Sequence, residues 1–580
     1  MTNTANTNPS HPEGADFIIG QVDFNDMFAQ QLAVEYKGRI PEDRIQNWPM
    51  VYILSNEEEA YVGQTTSLAR RMTQHGANPE KKAFRKVNAI YNQEFNASVV
   101  LDYEHRLIDL MHGDGHFRLT NKNSGQSPTN YFSRDAYAAM FDELWDELKA
   151  MELVDNSIDT VEQSEAFKFS PFKVLNADQE VALQLIVSAI GDGLLNGNPQ
   201  NTRPIVVQGM PGTGKTVLAI SLLKVLKDLA VSDSPEYAHF HGINVRLLEP
   251  VTGLRETIRR ALSKTVNLDA NDIIGPNDLG KAEFGCTPRG KGFDVVLVDE
   301  AHKLSMRKNM PPLQYAYYDG VTDTLGLPHA APQIDWVLDQ VRIPVFFYDP
   351  LQIVGPKSVG EAVMTNRLGQ ALEQPIELHS QMRVKGGDDY LEYVRQMLFD
   401  ENPDPRTFDD YELSLHMDFK EFESLFEETL EHHSLTRMVA GYAWKWKTRD
   451  SKDSQLFDIE LDGVGKRWNR TFRDWVGKGV DNPDIAHEVG CIHSVQGYDL
   501  SHAFVIVGWD LRYSTLTQSL LVDKKSYCDR NGKYGASNEE LDRYIRNIYY
   551  VLMTRGIEAT HLYVCDPALR EYFGRFMTAC

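Results

Sequence analysis

The sequence predicts an α/β protein in which a small α+β module precedes two larger lobes, each built on a doubly wound parallel sheet. The length of 580 residues is enough for about three or four domains. In the larger part of the chain, short apolar runs at 205–207, 293–298 and 345–348 alternate with longer segments of helical periodicity. Polar residues follow directly after these runs, so we expect the functional groups at the carboxyl edges of the sheets.

Shifts in composition along the chain predict the domain boundaries. The first fifteen residues are polar and lack both a basic start and an apolar core, which indicates a disordered tail and not a targeting signal. Residues 20–48 are polar and are predicted to be helical. The expected divisions are a tail with a leading helical segment (1–45), the small module (46–150), an acidic linker (151–165), the first lobe (166–380) and the second lobe (381–580), which carries an acidic helical insert at about 395–480.

Composition limits the environment and the partners of the protein. No run approaches the ~18 apolar residues that a membrane span needs, which predicts no membrane contact. The five cysteines are scattered without a close pair, which argues against a zinc site and a disulfide framework and predicts a cytoplasmic location. A net charge of −24 would repel a phosphate backbone, so nucleic-acid binding requires a local basic patch. One such patch contains Arg70, Arg71, Lys81, Lys82, Arg85 and Lys86.

The stretch PIVVQGMPGTGKT at 204–216 predicts a nucleoside triphosphate site. It passes from an apolar strand through a glycine-rich turn into an apolar helix, and it fits the pattern G-x-x-x-x-G-K-S/T. Glycines allow the backbone N–H groups to point at phosphate oxygens, while the lysine reaches the β and γ phosphates and the hydroxyl binds Mg²⁺. The residues concerned are Gly209, Gly212, Gly214, Lys215 and Thr216.

Two later strands end in groups that suit ATP hydrolysis. Asp299 and Glu300 follow the run 293–298. We expect Asp299 to hold Mg²⁺, through water, and Glu300 to polarise the attacking water, because γ-phosphoryl transfer depends on positioning and charge balance. Gln352 follows the run 345–348 and is suited to sensing the γ-phosphate.

Three further residues are candidates for the same site. Arg383 ends the first lobe, and Arg555 lies in the second lobe, so both could contact the γ-phosphate across a cleft and make hydrolysis depend on lobe closure. A surface ion pair is the alternative for either arginine taken alone. Gln179 precedes the nucleotide lobe and could read the adenine edge, with an ordinary helix N-terminus as the alternative.

In the small module, two β-rich runs at 48–54 and 60–63 predict a hairpin. If residues 55–58 form its loop, Tyr52 lies directly opposite Tyr61 and both phenols project from one face of the sheet.

Nearby segments supply groups that suit cleavage of a phosphodiester. Arg71 and His75 lie on one face of a predicted helix, Glu104 lies on another, and Asn121 and Asn123 follow in a polar stretch. A carboxylate can hold one divalent metal on the scissile phosphate, an arginine can offset developing charge, and a phenol can activate water.

The triplets MVY at 50–52 and YVG at 61–63 resemble the paired signature of the GIY-YIG nucleases, and the similarity covers about 48–135. Met50 and Val51 replace glycine and isoleucine, so a module that only binds nucleic acid is the alternative to an active nuclease. The resemblance implies Tyr52 as the base, Tyr61 as its partner, Arg71 as the phosphate-stabilising arginine, His75 as the helix histidine, Glu104 as the ligand of Mg²⁺ or Mn²⁺, and Asn121, or else Asn123, as the structural asparagine.

The motifs GMPGTGKT, VDEAH, YDPLQ, SQMR, HSVQGYDL and VLMTRG resemble, in this order, the superfamily-one helicases with their two RecA-like lobes. The similarity is strongest to the Schlafen group-three-like DNA/RNA helicase domain and covers about 165–580. It implies that Gln496 and Gly497 link strand binding to ATP, and that Thr252 and Arg255 lie on the strand-binding side. The aromatic residues that could stack on bases, although core packing is favoured for them, are Trp444, Trp446 and Trp468.

The favoured interpretation is an ATP-driven translocase or helicase joined to a metal-dependent endonuclease, acting on DNA in defence against foreign DNA or in repair. One alternative is an ATP-gated binding switch whose inactive nuclease module helps to recruit a partner effector. A second alternative keeps the chemistry but changes the substrate to RNA. A protein partner or a homo-oligomer is compatible with each of them, because an acidic chain could need help to load onto nucleic acid.

Overall fold

The computed structural model describes residues 17–579, except 42, 46, 123–130, 199, 382, 450, 452, 454, 472–474 and 496–497. Asn123, Gln496 and Gly497 therefore lie outside the described residues, as does the predicted tail up to residue 16. Contacts divide the chain into two compact units. The first contains residues up to 175 together with 220–241 and 256–273, and the second contains 176–219, 242–255 and 274–580.

The N-terminal part of the first unit is a sheet flanked by helices. Its strands are β1 (Ile18–Asp23), β2 (Met50–Ser55), β3 (Glu59–Thr65), β4 (Lys86–Tyr91) and β5 (Arg118–Leu119). Its helices are α1 (Phe28–Glu35), α2 (Leu68–Ala77), α3 (Ala97–Asp114), α4 (Arg134–Ala150), α5 (Ile158–Gln163) and α6 (Glu165–Lys168). The order is β1-β4-β2-β3-β5. All neighbours are antiparallel except β3 and β5.

Both faces of this sheet are covered, so its central strand is buried throughout and almost entirely apolar. All six residues of β2 are buried. Val51 and Ile53 pack with residues of α3 and α4, whereas Met50, Tyr52 and Leu54 pack with residues of α1 and α2. This alternation follows from the two-residue period of a strand.

The prediction of helix over residues 20–48 is wrong at its start. Ile18–Asp23 forms β1, which pairs antiparallel with β4, and the helix that follows covers only Phe28–Glu35. Residues 18–23 form a strand because the backbone N–H and C=O groups at the edge of β4 need hydrogen-bond partners, and an extended segment supplies them.

The first lobe contains a six-stranded sheet in the order β11-β6-β10-β9-β7-β8 once its elements are numbered along the chain. Its strands are β6 (Ile205–Gly209), β7 (Val245–Leu248), β8 (Ile273–Ile274), β9 (Phe293–Val298), β10 (Val341–Tyr348) and β11 (Ile376–Leu378). Its helices are α7 (Ala177–Asn196), α8 (Lys215–Ala230), α9 (Thr252–Leu262), α10 (Pro312–Leu325), α11 (Gln333–Gln340), α12 (Glu361–Leu368) and α13 (Gln370–Glu373). The pairs β11–β6, β6–β10, β10–β9 and β9–β7 are parallel.

The second lobe contains a five-stranded parallel sheet and two small hairpins. Its strands are β12 (Glu412–His416), β13 (Arg437–Ala440), β14 (Ile459–Leu461), β15 (Val464–Lys466), β16 (Leu500–Val507), β17 (Leu511–Ser514), β18 (Ser519–Val522), β19 (Gly556–Val564) and β20 (Thr578–Ala579). Its helices are α14 (Gly387–Leu398), α15 (Phe419–His432), α16 (Trp475–Asp481), α17 (Pro483–Ala486), α18 (Ile492–Val495), α19 (Arg530–Lys533), α20 (Asn538–Met553) and α21 (Pro567–Phe573). The order of the main sheet is β13-β16-β19-β12-β20, and the hairpins are β14–β15 and β17–β18.

The fold class predicted from the sequence is therefore confirmed.

Short 3₁₀ helices complete the described secondary structure, at Pro79–Lys81, Pro235–Phe240, Ala270–Asp272, Pro276–Gly280, Ala282–Phe284, Ala301–Lys303 and Pro350–Gln352. Within the part of the chain that the structure describes, no helix combines the length and the apolar character that crossing a bilayer requires.

The acidic helical insert predicted at about 395–480 is wrong. This segment supplies β12 and β13 to the main sheet of the second lobe. Its acidic helix α15 is amphipathic, and Phe419, Phe422 and Phe426 are fully buried in the cluster that also contains Trp468. Charged residues therefore occupy only the outer face of a core helix. Trp444 and Trp446 pack against the same cluster, as the core-packing prediction for these tryptophans requires.

Candidate active sites

The turn between β6 and α8 forms a cradle that depends on glycine. Gly212 has φ +86° and Gly214 has φ +73°, a backbone region that strongly favours glycine. A Cβ at Gly212 would also lie 2.9 Å from the Cβ of Arg383. The hydroxyl of Thr213 donates to the carbonyl of Met210 at 3.0 Å and closes the turn. The loop thus has the backbone conformation that a phosphate cradle needs.

Lys215 holds its charge against this loop. Its buried Nζ donates to the carbonyls of Gly209 at 2.7 Å and Met210 at 2.9 Å. The carboxylate of Asp349 lies 3.7 Å from the same nitrogen. These contacts orient the ammonium group at the carboxyl edge of the sheet, within the turn that is expected to bind phosphate.

Asp299 follows directly after β9 and is almost fully buried. Its Oδ1 accepts a hydrogen bond from the backbone N–H of Glu300 at 3.0 Å, whereas Oδ2 has no hydrogen-bond partner among the described residues. Burial and the charge of Glu300 raise the pKa of Asp299, while the Thr216 hydroxyl lowers it. A buried carboxylate oxygen with an open coordination position beside a threonine hydroxyl fits a divalent cation.

Glu300 is strained and ionised. Its φ of +46° lies in the left-handed region, which costs an ordinary residue free energy and often marks a functional position. Burial alone would raise the pKa of Glu300, but three neighbouring basic side chains hold it below its usual range. They are His302, whose Nε2 lies 2.7 Å from Oε2, then Lys303 and Lys215.

Gln352 is held by the acid at the end of β10. Its Nε2 donates to Oδ2 of Asp349 at 2.9 Å, and both side chains are buried. Asp349 thus links Gln352 to Lys215, since one carboxylate contacts both. The arrangement places an amide oxygen beside the lysine that is expected to contact the γ-phosphate.

Arg383 and Arg555 bring two further cations to this edge. Arg383 lies beside Gly212 and forms an ion pair with Asp499. Burial, and then the neighbouring Arg383, lower the pKa of Arg555 to about 10, while the carboxylate of Glu300 acts in the opposite direction. Two guanidinium groups that crowd together with little solvent create a positive potential suited to a polyanion.

Gln179 supports the loop from below. Its backbone N–H donates to the Asn176 side chain at 2.8 Å, and its own Oε1 accepts from the Asn176 N–H at 3.1 Å, which completes a capping box at the start of α7. Its Nε2 donates to the carbonyl of Thr213 at 2.9 Å. The contact with adenine stays a prediction.

In the first unit, the β2–β3 hairpin differs in register from the expectation. Tyr52 pairs with Gly63 and not with Tyr61. The side-chain oxygen of Asn56 accepts from the N–H groups of Glu58 and Glu59 at 2.8 and 2.6 Å, so the loop starts one residue later than predicted. Because the register shifts by two, both phenols stay on one face, with ring centroids 6.4 Å apart.

Gly63 is required by the close approach of Tyr52. A Cβ at Gly63 would lie 2.3 Å from the Tyr52 hydroxyl oxygen and 2.5 Å from its Cζ. The phenol therefore lies across the glycine of the opposite strand, and this contact directs its hydroxyl towards α2. The glycine of the YVG triplet has a steric role in the site.

The Tyr52 hydroxyl is the centre of a hydrogen-bond chain. Arg71 Nε donates to it at 3.1 Å, and the hydroxyl lies 2.8 Å from Nε2 of His75. Because the oxygen already accepts from Arg71, its own hydrogen is free to point at His75. Burial, followed by the charges of Arg71 and Lys81, lowers the pKa of His75 to about 4, so its ring is neutral and can accept at Nε2.

Glu104 lies on α3 close to both phenols. Burial raises its pKa to about 7, while the backbone N–H of Gln64 and the charge of Arg71 act against this rise. Its charge in turn raises the pKa of Tyr52 and of Tyr61. A half-buried carboxylate with few stabilising contacts gains from a bound cation, so its environment fits a metal ligand.

Asn121 stabilises the hairpin. Its Oδ1 accepts from the N–H of Val62 at 3.1 Å, and its Nδ2 donates to the carbonyl of Val62 at 2.8 Å. The side chain is buried, so these two bonds hold the middle of β3 in place. The role of Asn121 as the structural asparagine of the family stays a prediction.

Lys81 belongs to this site although the sequence indicated only a surface basic patch. Its Nζ lies 3.4 Å from the ring centroid of Tyr61, and burial lowers its pKa to about 8. The 3₁₀ helix Pro79–Lys81 turns the side chain inward. No spacing in the sequence indicates this contact, since the two residues lie on different elements. The neighbours Arg70 and Lys82 are exposed, as expected of the patch.

The structure thus assembles two groups of predicted residues, one in each unit. The first unit brings together Tyr52, Tyr61, Arg71, His75 and Glu104, with Asn121 behind them. The second unit brings together Gly209, Gly212, Gly214, Lys215, Thr216, Asp299, Glu300, Gln352, Arg383 and Arg555, with Gln179 behind the loop.

The contact at Gly63 predicts a specific packing defect. Gly63→Ala forces its new methyl group into the Tyr52 hydroxyl, so we expect a loss of about 1–3 kcal/mol in the free energy of unfolding of the module. Gly76→Ala, on α2, is the matched control, because no described atom lies within 4 Å of its added Cβ. Thermal unfolding followed by circular dichroism compares the two. Equal stability of both variants would contradict the steric role.

Two family models match separate parts of the chain, one for each of the two groups of candidate site residues. Residues 202–566 match the family model described as "Schlafen group 3, DNA/RNA helicase domain". Residues 49–111 match the model described as "GIY-YIG catalytic domain". An uncharacterized protein of Saccharomyces cerevisiae, YPL245W, is 24% identical over 430 residues, which is 68% of this chain and 90% of that protein.

Solved structures of helicases are similar at low identity. The arterivirus nonstructural protein 10 helicase is 12% identical and matches with a TM-score of 0.28, over 67% of this chain and 64% of its own. The Pif1 helicase from Candida albicans is 12% identical with a TM-score of 0.23, over 67% of this chain and 95% of its own. The helicase-domain model covers more than half of the 580 residues. The chain belongs to the Schlafen group 3 DNA/RNA helicase family and carries a GIY-YIG domain ahead of its helicase domain.

Proposed function

We propose that this protein hydrolyses ATP to move along a nucleic acid strand, and that its N-terminal module cuts phosphodiester bonds. The observation that supports the motor is the convergence of Lys215, Glu300 and Arg555 at one edge of the first-lobe sheet. Arg555 belongs to the second lobe, so groups from both lobes share the site. Hydrolysis can then change the relation between lobes, which is the basis of movement in such motors.

Each group at the ATP site has a distinct task. The N–H groups of the loop bind the phosphates, and Lys215 turns from the carbonyls of Gly209 and Met210 towards them. Glu300, held ionised, orients the attacking water and accepts its proton. Thr216 and Asp299 would hold Mg²⁺, which supplies charge compensation on the phosphates when bound.

A cavity in the first lobe suits a single strand. It measures about 360 Å³ and is lined by Thr252, Arg255, Lys303 and Lys357, with Tyr317 at the rim. Cations can contact phosphates there, and the exposed Tyr317 can stack on a base. Lys303 also acts on the charge of Glu300, so strand binding and hydrolysis share one side chain.

The nuclease half uses the hydrogen-bond chain at Tyr52. The phenol takes a proton from the attacking water as its own proton passes to Nε2 of His75, while Arg71 stabilises the charge that develops on the phosphate. Glu104 would hold Mg²⁺ or Mn²⁺, which polarises the scissile phosphate when bound. Met50 is buried at the start of β2, on the face that also carries Tyr52, and the hydrogen bonds of Tyr52 with Arg71 and His75 form with methionine in place of glycine, which favours an active module.

DNA is the favoured substrate, and the favoured setting is defence against foreign DNA or repair in the cytoplasm. ATP hydrolysis measured with a panel of nucleic acids tests the choice of substrate. We expect single-stranded DNA to stimulate hydrolysis more than RNA of the same sequence. Greater stimulation by RNA would transfer the proposal to RNA. No stimulation by any strand would contradict the motor.

Removal of the loop lysine should stop hydrolysis. Lys215→Ala deletes the cation that contacts the β and γ phosphates, so we expect a loss of about 100-fold or more in ATP turnover without loss of the fold. Lys308→Ala, at an exposed lysine of the same lobe, is the control and should keep full turnover. Phosphate release measures both. Normal turnover in Lys215→Ala would mean that the site is misassigned.

Removal of the site arginine should separate the two activities. Arg71→Ala deletes the donor to Tyr52, so we expect plasmid nicking to fall by about 100-fold with unchanged ATP turnover. The exposed neighbour in Arg70→Ala is the matched control.

Loss of both activities in Arg71→Ala would contradict the independence of the two sites. Glu104→Ala tests the binding-switch alternative in the same nicking assay. Absence of cleavage in both wild type and Glu104→Ala would favour the switch.

A further inference from the structure

A cluster of metal-ligating side chains lies in the second lobe, apart from the residues discussed above. His433 follows α15, His502 lies in β16, and Glu558 lies in β19. Their ligand atoms, one from each side chain, all lie within 4.8 Å of one another. His433 and Glu558 are 41% and 34% exposed, so the cluster is open to solvent on their side, whereas His502 lies deeper at 15%.

The distances within this cluster suit a tetrahedral ion. Oε2 of Glu558 lies 3.5 Å from Nε2 of His502 and 3.7 Å from Nδ1 of His433. A zinc-type ion with bonds of 2.0–2.2 Å separates adjacent ligand atoms by about 3.3–3.6 Å. The nitrogens of His433 and His502 lie within 4.8 Å of each other, so side-chain rotation has to bring these two ligand atoms to a tetrahedral separation.

The carboxylate of Glu558 is oriented by a lysine. Lys385 Nζ donates to Oε1 at 2.8 Å, whereas both imidazoles face the other oxygen, Oε2. A hydrogen bond to the non-ligating oxygen is the usual support of a metal-bound carboxylate. Lys385 and an ion can thus occupy the carboxylate together.

The ring of His502 is oriented by a second histidine. Its Nδ1 lies 3.4 Å from Nε2 of His561, whose Nδ1 lies 2.7 Å from Oγ of Ser414. If both Nδ1–H groups donate along this chain, Nε2 of His502 carries the lone pair that a metal needs. That nitrogen is buried and has no hydrogen-bond partner among the described residues.

The position of His433 is set by backbone hydrogen bonds. The N–H of Thr436 donates to the carbonyl of His433 at 2.9 Å, and the N–H of Ser501 donates to the carbonyl of Leu435 at 3.2 Å. The turn after α15 is therefore tied to the start of β16, where His502 lies. Preorganised ligands lose little conformational entropy on binding.

We propose that His433, His502 and Glu558 bind one zinc-type divalent ion, with water in the fourth position. The ion would tie the turn after α15 to the starts of β16 and β19. Its role is structural, because Glu558 follows Arg555 by three residues and the ion would help to fix the start of the strand that this arginine precedes.

Zinc titration of the full-length chain tests the site. Calorimetry without nucleotide, in a background that carries both Glu104→Gln and Asp299→Asn, keeps the carboxylates of the two other candidate metal sites from contributing. We expect one equivalent of Zn²⁺ to bind, with affinity at least about 10-fold weaker in His433→Ala and Glu558→Gln. His487→Ala is the matched control, since that imidazole of the same lobe pairs with Glu427 at 2.6 Å, outside the cluster.

A second readout covers variants that fold poorly. Zn²⁺ should raise the melting temperature of the background protein and of His487→Ala, but not that of His433→Ala, whose side chain is partly exposed and replaceable. Bound Co²⁺ should show the visible absorption of a tetrahedral site in the same variants only. Equal affinity for Zn²⁺ in all variants, or no binding in the background protein, would overturn the proposal and leave an ion-pair cluster around Lys385.

Discussion

The concentration of buried charge at the carboxyl edge of the first-lobe sheet is the constraint on which the helicase part depends. Lys215, Asp299, Asp349 and Arg555 are all largely removed from solvent. Charged groups lose hydration when they are buried, so each needs a partner of opposite sign or a bound ion. Loop carbonyls and Asp349 supply this for Lys215, whereas Asp299 retains an unpartnered oxygen. This imbalance of charge supports the proposal that the edge binds a polyanion together with a divalent ion.

The candidate site of the small module depends on the contacts of a single hydroxyl group. One hydroxyl, that of Tyr52, receives a hydrogen bond from Arg71 and contacts His75. It can reach both because the opposite strand has glycine at position 63. The low pKa of His75, caused mainly by burial, keeps its ring as an acceptor. A steric contact, a hydrogen-bond chain and a depressed pKa thus produce one polarised phenol.

The histidine cluster of the second lobe is built from residues that lie far apart in the sequence. His433, His502 and Glu558 come from a turn and two strands, and neighbouring parallel strands bring the last two together. Cysteine spacing argued against zinc, but that argument addresses only ligands that lie close in sequence. The sequence did not predict the strands β12 and β13, because acidic residues on the outer face of α15 dominate the composition of the segment that contains them.

The sequence by itself determined the fold class, the phosphate loop and the two family resemblances, because each depends on residues that are close together in the chain and on local periodicity. It also identified many of the groups that assemble at the two candidate sites, although it assigned no role there to Lys81 or Asp349. Only the tertiary structure decided the register of the hairpin, the inward turn of Lys81 and the place of residues 395–480 in the sheet. Each of these features depends on a contact with a second element, such as a strand edge or an aromatic ring. That element is distant in the sequence, so the local residue pattern does not indicate the contact.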